Sequence, residues 1–285
     1  MHYGPAVRRR KLGAELRTLR DGAGLTSGQA ARLVGWHQSK VSRIETATSG
    51  VKPEDVRLLL DAYRVDDPRR RELLVALAGD GDDGGSRWWN AYRGLLPPEY
   101  RDFICLEAQA SQMRTLETSV VPGLLQIRDY ARAVTRSAVQ GVPEDQIDAL
   151  VDVRLARQDV LRADPPPELS AVVDEAVLRR PVGGAPVMER QLAHLVESAR
   201  LPHVRLQVMP FAAGEHIGLT GPFVVFSFPD IADLDVIVLD HLTHSLYLER
   251  EEDLKAYVDA FTSLQSHALS PEDSLDFIAG IRPGA

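Results

Sequence analysis

Leu12, Leu16 and Leu19 recur at the spacing of one helix face, so residues 8–21 read as a first helix. Gly22 and Gly24 end it. Thr26 has a hydroxyl placed to cap a second helix over about 27–34. Beyond it Ala31, Gly35, Val41 and Ile44 form a spaced set. Two helices that approach closely need a small residue at the contact, and Ala31 is one. A tight turn between them needs a residue that tolerates φ > 0, and Gly35 is one. Val41 and Ile44, three apart, give the next helix, about 37–46, an apolar inner face. Ala30, Val34 and Trp36 are expected to complete the inward set.

Further along, the period changes. Residues 87–163 read as mostly helical. Trp88, Trp89 and Tyr92 open the segment as aromatic core anchors. Leu106, Ala110, Met113 and Leu116 keep one helical stripe, and Ile147, Leu150, Val151, Leu155 and Val160 another. From residue 165 short β-prone runs appear: Leu169–Val173, Val204–Met209, Phe223–Phe228 and Val236–Leu239. Val204, Leu206 and Val208 alternate with Arg205, Gln207 and Met209, which predicts a strand with two different faces. Helices are expected at 186–200 and 251–268, the latter with Leu254, Tyr257, Val258, Phe261 and Leu264 on one buried face. Ser270–Ile281 reads as a short terminal helix. The fold class is α+β: an all-α N-terminal domain, then a mixed α+β domain.

The 285 residues suggest about two domains. The run Gly81–Ser86, within a longer Gly/Asp-rich stretch, has no apolar residue and reads as a linker between a domain over 1–80 and one over 87–285. Charge follows the same division. Residues 1–80 hold 15 Lys and Arg against 10 Asp and Glu, a net of +5, and the remainder is at −13. A basic end on an acidic protein suggests a nucleic-acid-binding end, with a solvated basic face as its ordinary alternative. One cysteine, Cys105, excludes an intramolecular disulfide framework and a Cys-rich zinc module. No run approaches the roughly 18 apolar residues of a membrane helix, and no apolar stretch follows Arg8–Arg10 as a secretory signal would need. A cytoplasmic protein without a membrane partner is expected.

The run Leu25-Thr26-Ser27 through Lys40-Val41-Ser42-Arg43-Ile44-Glu45 resembles the XRE/phage-repressor helix-turn-helix family. The resemblance spans about residues 8–78 and implies a five-helix domain, with Pro53–Tyr63 and Pro68–Ala78 as its last two helices. It implies a homodimer on double-stranded DNA, with Gln38, Ser39 and Arg43 at base-reading positions. Those residue types suit base reading, since Gln pairs with adenine, Arg with guanine and Ser with either. Lys40 and Ser42 look like phosphate or rim contacts, and Thr26 is counted with them among the DNA-binding residues. Ser27 stands where a glutamine commonly meets a phosphate, and His37 where Ser or Thr commonly caps the recognition helix. Arg20 and Glu45 match a buried ion pair of that family.

A second resemblance covers nearly all of 87–285. Val121-Pro122-Gly123-Leu124-Leu125-Gln126, Asp129-Tyr130-Ala131-Arg132-Ala133, Arg154-Leu155-Ala156-Arg157-Gln158, Asp174 through Gly184, Gln207-Val208-Met209-Pro210 and Gly221-Pro222-Phe223 carry it. They are similar to the C-terminal domain of WhiJ-like, antitoxin-like actinobacterial regulators. That family implies a transcriptional regulator, often paired with a small acidic protein encoded nearby, and supplies neither an established ligand nor a catalytic residue. No cofactor or enzyme is expected: a Walker loop, a dinucleotide fingerprint and a Gly-x-Ser-x-Gly elbow are all missing. His216, Asp240, His241 and His244 are the candidate metal ligands, but in a turn they need not converge. Asp174 and Glu175 are a candidate acid–base pair whose ordinary alternative is helix capping. Two other functions compete with the regulator: an interaction module with secondary DNA binding, and a small-molecule sensor or enzyme.

Overall fold

A computed structural model describes residues 5–78, 88, 92, 94–139, 141–228, 235–241 and 245–282. The segment read as a linker, Trp89 and His244 lie outside the described residues. The described residues divide into two compact units. One comprises residues up to Gln109 with Phe228, Asp235 and 245–247; the other comprises 110–227, 236–241 and 248 onward. The architecture is α+β, with the helix-turn-helix helices preceding a mixed domain.

In the first unit α1 (Pro5–Gly22), α2 (Ser27–Leu33), α3 (Gln38–Glu45), α4 (Pro53–Ala62) and α5 (Pro68–Leu77) are followed by α6 (Pro98–Gln109). Asp67 caps α5 by accepting from the Arg69 and Arg70 amides, and proline opens α4 and α5, where its missing N–H costs nothing. Leu12, Leu16, Ala30, Ala31, Val41, Ile44, Val56, Leu59, Leu60, Leu74 and Leu77 are buried. Val34 and Trp36, expected inside, are only half-buried. Gly13 permits the closest approach. A Cβ there would sit 2.6 Å from the Ile44 carbonyl and 2.7 Å from that of Glu45, so any side chain would push α1 off the end of α3.

The second unit is built on a sheet whose strands lie in the order β3-β2-β1-β4-β5. Its strands are β1 (Gln112–Glu117), β2 (Glu168–Asp174), β3 (Val204–Met209), β4 (Phe223–Ser227) and β5 (Val236–Asp240); a further strand, β6 (Ser245–Leu248), falls mainly in the first unit. Strands β1, β2 and β3 run parallel, and β4 pairs antiparallel with β1 and with β5. Between β1 and β2 lie α7 (Arg128–Ala138) and α8 (Glu144–Arg157). Between β2 and β3 lie α9 (Glu175–Arg179) and α10 (Ala185–Ser198), and α11 (Glu251–His267) and α12 (Pro271–Gly280) close the chain. Leu116, Val172, Phe223, Val225 and Ile237 present one sheet face to Phe261 and Leu264 of α11. Burying each such side chain contributes ~1.5–3 kcal/mol.

The stripe through Met113 and Leu116 is corrected here. Helix α6 stops at Gln109, and these residues lie in the central strand β1. Met113 and Leu116 are three apart and point to opposite faces, yet both are buried because both faces are covered. The two-faced expectation for β3 fails for the same reason: Arg205 is its one exposed position.

Candidate nucleic-acid interface

Helix α2 begins with a reciprocal cap. The Gln29 amide donates to Thr26 Oγ1 at 3.2 Å, and the Thr26 amide donates to Gln29 Oε1 at 2.8 Å. Such a box satisfies two amides that the first helical turn would leave unpaired. Gly35, at φ +70°, reverses the chain, and the Trp36 amide donates to Ala31 O at 2.8 Å to close the turn. His37 is the N-cap of α3, and its ring makes no capping hydrogen bond.

Helix periodicity then sorts α3. Val41 and Ile44 are buried, whereas Gln38, Ser39 and Arg43 are exposed and Ser42 is half-buried. Positions i and i+4 lie one above the other, so 38 with 42 and 39 with 43 form one outward face. Gln38 Nε2 donates to Ser27 Oγ at 3.0 Å, linking the start of α3 to the start of α2. Lys40 Nζ lies 3.6 Å from the centre of the Trp36 ring and 2.8 Å from Asp55 Oδ2. Sequence reasoning missed both partners of Lys40. The i,i+4 spacing of Trp36 and Lys40 was the available signal for the first; Asp55, in the first turn of α4, has no local one.

Behind this face Arg20 and Glu45 form a bidentate pair, Nε to Oε1 at 2.7 Å and Nη2 to Oε2 at 2.9 Å. Arg20 also donates to Leu25 O at 2.7 Å and pairs with Asp21. The hydrogen bond to Glu45 holds the guanidinium pKa above its ordinary value against the opposing effect of burial. Burial, reinforced by the charge of Glu45, pushes the Tyr63 phenol up beside it. The pair ties the end of α1 to the end of α3, the element that must be held for anything presented on 38–43.

Just past the C-cap of α3, Ala47 lies in the left-handed region, φ +56°, where an L side chain is disfavoured by about 1–2 kcal/mol. Ala47→Gly is therefore expected to stabilise the first unit by ~0.5 kcal/mol, part of the relief being offset by glycine's larger unfolded-state entropy. A higher urea midpoint would register it. A lower one would show that the methyl group contributes packing there.

The other candidates do different work. Asp174 caps α9 by accepting from the Ala176 amide at 2.8 Å. Glu175 pairs with Arg179 and accepts from the Phe211 amide at 2.8 Å, so this carboxylate pair serves local structure. His216 Nδ1 accepts from the Gly218 amide at 3.1 Å. Among the described residues no group of three or more His, Cys, Asp or Glu could hold a metal, and no helix is long and apolar enough to cross a membrane.

Two family models match. A helix-turn-helix domain covers residues 11–73, and the domain of unknown function DUF5753 covers residues 100–280. The chain belongs to the DUF5753 family. It joins that domain to a helix-turn-helix module of the kind found in DNA-binding regulators. No curated protein and no solved structure matches the chain.

Proposed function

We propose that the protein is a sequence-specific transcriptional regulator of the XRE type, with its DUF5753 domain as the regulatory half. The observation that carries this reading is the outward face of α3. Gln38, Ser39 and Arg43 stand exposed on a helix whose opposite face, Val41 and Ile44, is anchored in the core. The net +5 of residues 1–80 supplies attraction to phosphate, and the −13 of the remainder confines contact to the basic end. In this reading α3 enters the major groove. Gln38, Ser39 and Arg43 read bases, while Thr26, Ser27, His37, Lys40 and Ser42 contact the backbone or the rim.

A homodimer would place two α3 helices on a pseudo-palindromic operator. The likeness of residues 121–126, 129–133, 154–158, 174–184, 207–210 and 221–223 to WhiJ-like, antitoxin-like regulators supports control through the second unit by a small partner protein or a ligand. Selection from a genomic DNA library, followed by salt titration, tests the proposal. A palindrome with half-sites about 10 base pairs apart and a steep salt slope is the expected result. No enrichment, with binding insensitive to sequence, would overturn it in favour of an interaction module.

A further inference from the structure

Lys40 stands at the unfavourable end of its helix. It is the third residue of α3, in the first turn, where the helix dipole opposes a cation. No acidic residue of α3 lies in that turn to offset it. Two groups outside α3 do so. Nζ lies 3.6 Å from the centre of the Trp36 ring and 2.8 Å from Asp55 Oδ2. Both partners are fixed without Lys40. Trp36 follows Gly35, at φ +70°, and its amide donates to Ala31 O at 2.8 Å. Asp55 lies in the first turn of α4, where the same dipole effect favours an anion, and α4 is anchored by buried Val56, Leu59 and Leu60.

The ion pair is open to exchange. The Lys40 side chain is 38% exposed and that of Asp55 21%. A pair at such exposure changes an equilibrium by at most about fivefold. Its position on α3 is equally telling. At about 3.6 residues per turn, Lys40 falls between exposed Arg43 and buried Ile44 around the helix. It therefore flanks the outward face that holds Gln38, Ser39 and Arg43, and does not lie within it. A helix seated in the major groove has sugar-phosphate strands along its flanks, where an ammonium meets a phosphate and not a base edge.

We propose that Asp55 is an internal substitute for a DNA phosphate. It holds the Lys40 ammonium beside Trp36 in the free protein and is exchanged for a backbone phosphate when α3 enters the groove. One anion replaces another on the same cation, so the net gain from Lys40 is smaller than that of an unpaired lysine. Asp55 acts as a brake. It weakens binding to every sequence by the same factor and leaves base preference unchanged, because it acts only through a phosphate contact. This deepens the reading of Lys40 as a backbone contact and rests on it.

The test titrates the full chain into a duplex of about 30 base pairs and random sequence, at low salt, where phosphate contacts dominate affinity. Asp55→Asn keeps the shape of the side chain and removes its charge, and should tighten binding about three- to fivefold. Lys40→Met keeps the hydrocarbon stem against Trp36 and removes the ammonium. In that background Asp55→Asn should change affinity by less than about twofold, since the two residues act as one unit. An equal gain in both backgrounds would mean that Asp55 merely repels DNA, and the exchange would be wrong. No gain from Asp55→Asn in the otherwise unaltered chain also rejects it, and leaves the regulator reading in place. A chain that binds the duplex and shows this coupling, yet selects no sequence from a library, sustains the exchange and defeats sequence-specific regulation. A chain that does not bind the duplex at all defeats both.

Discussion

Glu45→Ala is expected to destabilise the helix-turn-helix unit by about 3 kcal/mol. The substitution leaves the Arg20 guanidinium, 7% exposed, without its bidentate partner. Removing one member of a buried pair costs ~3–5 kcal/mol because the remaining charge stays desolvated. The lower end applies, since Asp21 and the Leu25 carbonyl still accept from Arg20. Hydrogen exchange of the α1 and α3 amides measures the effect in the intact chain without assuming that both units unfold together. The double replacement Arg20→Met, Glu45→Leu should recover most of the loss, because it removes both charges and keeps the volume. If Glu45→Ala lost less than about 1 kcal/mol, the pair would behave as a solvent-screened surface pair.

Arg43→Ala should weaken binding to the selected operator by ~1–3 kcal/mol and relax preference at one base pair per half-site. Arg43 is exposed on the outward face of α3, with Ser39 one turn before it. Its loss should not unfold the domain, since the inner face rests on Val41 and Ile44. Lys40→Ala makes the control: a loss of similar size for all sequences and a shallower salt slope, as expected for a phosphate contact. Lys40 is held by Asp55 in the free protein, so part of its contribution is offset by breaking that pair. Unchanged base preference in Arg43→Ala would remove α3 from the recognition role.

How far the sequence could be read depended on how local the determining physics is. The boundaries of α2, α3, α11 and α12 fall within about two residues of those expected, because caps, prolines and apolar spacing act within one or two turns. The edges of β2 to β5 were legible in the same way. Residues 110–116 were not. A central strand covered on both faces has no polar side to alternate with, and its spacing then imitates a helix. The candidate interface was legible where it depended on α2 and α3, but the anchoring of Lys40 by Asp55 and of Gln38 by Ser27 joins residues on separate elements.

By itself the sequence determined the succession of helices and strands apart from β1, the turn at Gly35, the inward residues of α3 and the polarity of charge between the two ends. These follow from backbone sterics, side-chain periodicity and net charge, all of which act along the chain. Tertiary structure alone decided that β1 is a central strand covered on both faces. It also set the bidentate geometry of the Arg20–Glu45 pair that the family resemblance implied. Strand register, burial and the dielectric around a charge depend on residues far apart in sequence, and packing is what brings them together.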